Sequence, residues 1–126
     1  MEVVSIVILS LSSFLLLFVG SSRLSNPIAT YAKNSGITLA KDVDLLNEVR
    51  GLSAVMLCAG ILTVLGTFLS QMTFTAHVVG ALIFLGFALG RFISMSADGK
   101  PNQQIISGIV FELVLGAGNV VGLVLG

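Results

Sequence analysis

Hydrophobic and polar positions divide this chain into four long apolar stretches joined by polar links. Residues 3–20 are apolar or Ser without a single charge, and comparable stretches follow at 51–69, 76–94 and 103–125. A helix needs about 20 mostly apolar residues to cross the hydrocarbon of a bilayer. The pattern predicts four spans, at about 3–22, 47–69, 76–95 and 103–125. The fold class expected is all-α, an integral membrane four-helix bundle in one transmembrane domain over residues 1–126. No internal repeat or low-complexity segment interrupts it.

The only long connection lies between Arg23 and Leu46. Asn26-Pro27 suits a helix start, with Asn as cap and Pro in the first turn. Ile28, Tyr31 and Ala32 recur at helical spacing, and Asn34-Ser35-Gly36 is a stop signal. A short amphipathic helix over about 27–34, lying at the membrane surface with Tyr31 as its anchor, is expected. Asp42 or Asp44 then caps the second span, where an anion suits the positive end of the helix dipole. Ser70–Thr75 is an uncharged link for antiparallel neighbours, and Asp98-Gly99-Lys100-Pro101 a tight turn.

Composition supports the membrane assignment. Mean hydropathy is +1.08, and 10% of residues are charged, against about a quarter in soluble domains. Zero net charge without a basic run argues against a nucleic-acid partner. Cys58, the single cysteine, lies in an apolar stretch and is expected as a buried packing residue rather than a disulfide or metal ligand. Met1-Glu2 lacks the basic start of a secretion signal, so the first stretch is read as a retained helix, although Gly20-Ser21-Ser22 resembles a cleavage site.

Four crossings put both termini on one side, opposite every Lys and Arg and every acid except Glu2. The positive-inside rule assigns the charged links to the cytoplasmic or equivalent side and the termini to the other. The expected location is a bacterial inner membrane or an organelle membrane of bacterial descent. At the charged end the threading gathers Asn47, Glu48, Arg50, Arg91, Asp98 and Glu112. Arg91 lies roughly 8 Å above the end of its helix and Glu112 roughly 14 Å into the next one. An intramembrane charge is costly unless paired or wet. The two are expected to form an ion pair, which Arg50 can share.

Helical faces support that pairing. Gly108, Glu112, Gly116 and Asn119 form one stripe on the fourth span, and His77, Gly80, Phe84, Ala88 and Arg91 one on the third. Asn47, Arg50, Gly51, Ala54 and Cys58 form the corresponding stripe on the second. Small residues on such faces let helices approach closely, and Gly86-xxx-Gly90 and Gly118-xxx-Gly122-xxx-Gly126 are further candidate seams. The cluster admits two readings: a site for a proton or ligand, or a network that fixes helix register.

His77 is expected as an interfacial polar residue that Asn119 approaches. Either residue could serve as an axial ligand to a pigment or haem, but no cofactor is implied, and a metal site normally requires several ligands. Catalysis has no support in the pattern: there is no HExxH, no CxxC and no Gly-rich phosphate loop. Ser94 has no identifiable base.

Three motifs carry a resemblance. Asn47-Glu48-x-Arg50-Gly51, Gly90-Arg91-x-x-Ser94-x-x-x-Asp98-Gly99-x-Pro101 and Glu112-Leu113 together resemble the bacterial four-helix membrane proteins grouped as domain of unknown function 4345. The resemblance implies a four-helix fold with the clustered Asn, Glu, Arg and Asp residues on one membrane side, and implies no activity. Small multidrug exporters are similar in size but carry their carboxylate in the first helix, which is uncharged here. Fluoride channels are similar in length, but their polar track is missing from the first two spans. The leading expectation is a non-enzymatic accessory or structural subunit whose partners are the lipid bilayer and other membrane subunits or itself. The alternative is a transporter or binder of a small hydrophobic or protonatable ligand.

Overall fold

The computed structural model describes residues 3–125, so Gly126 of the last candidate seam lies outside them. Five helices follow in order: α1 Val3–Ser25, α2 Pro27–Ser35, α3 Val43–Phe68, α4 Thr73–Asp98 and α5 Gln103–Leu125. All but α2 are long and apolar enough to cross a membrane. The protein is an integral membrane four-helix bundle with one short helix between its first and second spans.

Local chemistry sets each boundary. Asn26 accepts a hydrogen bond from the Ala29 amide at 3.3 Å, with Pro27 in the first turn of α2. Gly36 then turns left-handed at φ 66°, and the Ile37 amide donates to the Tyr31 carbonyl at 3.1 Å. Asp42 caps α3 by accepting from the Asp44 amide, which starts that helix four residues ahead of the predicted span. The expected loop after α3 is a single 3-10 turn, Ser70–Met72, braced by the Thr73 hydroxyl donating to the Gly66 carbonyl at 2.8 Å. Gly99, at φ 104°, stops α4.

The helices pack as two close pairs, α1 with α3 and α4 with α5, joined by the α3–α4 hairpin. Small residues make the close approaches. A Cβ at Gly20 would lie 2.8 Å from the Leu57 backbone nitrogen, and one at Gly60 would lie 3.0 Å from that of Leu17. One turn beyond the Gly60 contact, the Ser13 hydroxyl meets the Thr63 hydroxyl at 2.8 Å. On the other pair Gly80 faces the Asn119 side chain, Gly116 faces Leu85 and Gly122 faces the His77 ring. Leu16, Met56, Ala59, Phe84 and Leu115 fill the centre. Large apolar side chains such as Phe14, Ile61, Leu82 and Val114 point outward, where lipid is the solvent.

Two face assignments need correction. The interior stripe of α3 is Ser53, Met56, Ala59, Gly60, Thr63 and Gly66, rather than the one through Gly51, Ala54 and Cys58. Cys58 is consequently exposed on the outer surface. Gly86 and Gly90 pack against none of the described residues, since a Cβ at either has open space around it. The physical reason is common to both. Small residues occur all round these helices, and the few that face a neighbour are selected by partner shape rather than by residue type.

Candidate functional site

Two polar centres lie inside the bundle. The first is at the charged end, where Arg91 near the end of α4 meets Glu112 on α5. The Arg91 Nε donates to both carboxylate oxygens, at 2.9 and 3.1 Å. The Arg91 side chain keeps 29% of its surface exposed, against 11% for Glu112. It is the only salt bridge among the described residues. Because Nε takes both oxygens, the two terminal nitrogens of Arg91 have no acceptor among the described residues.

Arg23, at the end of α1, is the third member, although in the sequence it only bounds the long connection. It lies on the same helical stripe as Ser5, Leu9, Ser12, Leu16 and Gly20, the signal that could have placed it inside. Its guanidinium stacks over the Tyr31 ring at 4.4 Å, so Tyr31 serves Arg23 as well as the surface helix. Its terminal nitrogens reach the Met56 sulfur at 4.0 Å and the Ser35 hydroxyl at 3.5 Å, both long contacts. Its Nε is buried and has no hydrogen-bond partner among the described residues.

Arg23, Arg91 and Glu112 line a cavity of about 150 Å³, whose remaining wall is mainly Leu15, Val19, Phe84, Phe87 and Phe111. The inner end is closed by Leu16 and Phe84, both almost fully buried. The surface helix covers the outer end through Asn34 and Ser35. Asn102 sets that cover: its side-chain oxygen accepts from the Ile105 amide, starting α5, while its nitrogen donates to the Ser35 carbonyl at 2.8 Å. Gln104 adds a bond to the Lys33 carbonyl at 3.0 Å. Neither contact was anticipated, since both join residues about 70 positions apart.

The rest of the expected cluster is elsewhere. Asn47, Glu48, Arg50 and Asp98 are exposed. Arg50 does not share Glu112; it donates to the Leu24 carbonyl and closes the last turn of α1. Asp98 accepts from Ser94 at 3.3 Å on the same helix. Charges in the first two turns of α3 and the last of α4 occupy exposed positions, so burial does not force them together.

The second centre lies toward the other end. His77 is 1% exposed and therefore a core residue, which corrects the interfacial expectation. Its Nδ1 lies 3.0 Å from Asn119 Oδ1 and its Nε2 3.0 Å from Ser5 Oγ. The Asn119 amide nitrogen donates to the Leu115 carbonyl at 2.8 Å and to the Ser12 hydroxyl at 3.0 Å. A carbonyl only accepts, so Asn119 must present its oxygen to His77, and Nδ1 must carry the proton. In the neutral ring Nε2 then accepts from Ser5. Both ring nitrogens are committed, and the two residues named as axial ligands bind each other. Among the described residues no group of three His, Cys, Asp or Glu is placed to hold a metal.

No curated protein and no solved structure matches the chain. A family model does. It matches residues 4–123, from the start of α1 to the end of α5, and so takes in both polar centres. On that match this four-helix membrane protein belongs to the family described as Domain of unknown function (DUF4345).

Proposed function

We propose that the protein is a non-enzymatic membrane protein that binds a small amphipathic molecule in the Arg23–Arg91–Glu112 cavity. One observation carries this reading: the buried Arg23 Nε has no acceptor among the described residues, and Arg23 and Arg91 both line a mainly apolar cavity. Buried polar groups are ordinarily satisfied, so donors left free there point to a missing partner. A cavity of about 150 Å³ is the size that holds a benzene-like group when lined by apolar residues. The positive-inside rule places its covered end, with Lys33, Lys41 and Lys100, on the cytoplasmic or equivalent side.

Gly108 supplies the test. It lines the cavity, and a Cβ there meets nothing within 4 Å, so a larger side chain can start from that position without displacing the α5 backbone at its Cβ. The full chain and its Gly108→Leu variant are purified from native membrane, and bound small molecules are extracted and weighed. A molecule present with the native chain and missing from a helical variant is expected; identical extracts from both refute the reading.

A second reading, an accessory subunit of a larger membrane complex, draws on the small extramembrane mass: the longest stretch outside helices among the described residues is 36–42. Native mass spectrometry of gently extracted protein distinguishes it, since a fixed set of other polypeptides is expected there and a lone chain counts against it.

A further inference from the structure

The charged end leaves an electrostatic remainder. Arg23 and Arg91 both line the cavity, and among the described residues Glu112 is the only acid that does. A second groove, of about 330 Å³, passes on the α3 side of the same two arginines and contains no acid at all. An arginine pair with one carboxylate carries an excess positive charge in surroundings where an unpaired ion is costly. The free donors are placed to receive an anion. Arg91 is held to Glu112 by Nε alone, which leaves its planar fork unused. A fork of that kind matches carboxylate or phosphate through two parallel hydrogen bonds. Arg23 adds its unpartnered Nε.

The apolar surroundings give that anion a body. The second groove shares Arg23, Ser35, Phe87, Arg91 and Ile105 with the cavity, then runs past Gly90 to Gly86. From Gly86 a third, wholly apolar groove continues along Ala81, Leu82, Leu85 and Leu89. Gly86 and Gly90 have open space where a Cβ would stand, which makes the track possible. It climbs α4 from Ser94 to Leu82, roughly 18 Å at the helical rise. The track therefore begins at two cations near the membrane boundary and ends among hydrocarbon.

Building on the binding function proposed above, we infer that the ligand is a single-chain anionic lipid. Its carboxylate or phosphate oxygens bridge Arg23 and Arg91, and its acyl chain runs along the Gly86–Gly90 track of α4. One chain is specified because the track is single and the head cavity, at about 150 Å³, has no room for a second acyl chain. Glu112 turns the Arg91 fork toward the ligand and cancels one of the two positive charges, so a monoanion completes the balance.

The test uses the full chain in phosphatidylcholine nanodiscs doped equally with palmitate, lysophosphatidate and uncharged hexadecanol, read by native mass spectrometry. One anionic amphiphile per chain is expected, retained about tenfold or more over hexadecanol, a factor worth 1.4 kcal/mol. Palmitate alone identifies a carboxylate, lysophosphatidate alone a phosphate, and either supports the inference. Arg23→Gln should lower retention about tenfold by the same measure. Gly86→Leu, whose Cβ enters open space, should lower palmitate retention while sparing short-chain hexanoate, in a variant that far-UV circular dichroism shows to be as helical as the native chain. Hexadecanol retained as well as palmitate overturns the anionic assignment but leaves the binding function standing. Equal retention of two-chain phosphatidylglycerol overturns the single-chain assignment, and no retained amphiphile of any kind removes both.

Discussion

Removing Glu112 should destabilise the protein more than removing Arg91, although the two form one ion pair. The asymmetry comes from Arg23. With Glu112→Gln, Arg23 and Arg91 line one small cavity without a carboxylate between them. With Arg91→Gln, Glu112 keeps Arg23 as a neighbouring cation in the same cavity. Stranding one member of a buried pair typically costs about 3–5 kcal/mol. Glu112→Gln is expected within that range, because two unit charges about 4 Å apart interact by about 4 kcal/mol at an effective dielectric constant near 20. For Arg91→Gln the expected loss is about 1–3 kcal/mol, since its side chain is already 29% exposed and Arg23 remains to balance the carboxylate. The diagnostic variant is Arg23→Gln combined with Glu112→Gln. Taking away a stranded cation should recover part of the loss, so the double variant is more stable than Glu112→Gln alone. The chain has no Trp, so unfolding from bicelles by sodium dodecyl sulfate is best followed by far-UV circular dichroism. Equal losses for the two single variants, or an Arg23→Gln change that deepens the Glu112→Gln loss, would refute the charge balance.

Further substitutions probe the packing and the second centre. Asn119→Leu removes the acceptor for His77 Nδ1 and the donor to Ser12; at about 0.6 kcal/mol for each intramembrane hydrogen bond, a loss of about 1–2 kcal/mol is expected in the same unfolding assay. Gly20→Ala brings a methyl against the Leu57 and Ser53 backbones and should cost about 1–3 kcal/mol, whereas Gly86→Ala, facing open space, should gain up to about 1 kcal/mol of helix propensity. Gly36→Ala must hold φ at 66° beside Asn102 and Gln104. It is expected to loosen the end of α2 by about 1 kcal/mol, seen as faster proteolysis between α2 and α3.

The helices were legible because apolar stretches of spanning length leave few alternatives. Faces were legible only where a rare polar residue marked them. Arg91 and His77 on α4, and Glu112 and Asn119 on α5, stand out against apolar neighbours, and the stripes through them are the buried ones. On α3 the conspicuous polar residues, Asn47, Glu48 and Arg50, occupy the first two turns near the aqueous boundary and say nothing about the interior. The buried face there is marked by Ser53, Gly60 and Thr63, which differ little from the small residues around them. Arg23 escaped notice for another reason. Its proximity to Arg91 and Glu112 depends on α1 packing across the bundle onto α5 and α4 as well as onto α3, and its cation–π partner depends on α2 folding back over the cavity. Those are tertiary facts with no local signal.

The two polar centres are not parts of one pathway. Glu112 and Asn119 lie on one face of α5, seven residues or roughly 10 Å apart. The layer between them is Leu16, Met56, Phe84 and Leu115, which form the packed hydrophobic core. His77 and Asn119 are satisfied within their own network, whereas the donors at the charged end are not. A molecule that reaches the arginines therefore meets a closed apolar floor, and its open direction runs sideways along α4 into the bilayer. That geometry suits exchange between the membrane and a site at its boundary. Passage across the bilayer would require Leu16 and Phe84 to part, and the close approaches at Gly60 and Gly116 oppose the helix separation this needs. On the proposed binding function, the His77 network is the hydrogen-bonded end of the bundle and the charged end the one that would bind and release.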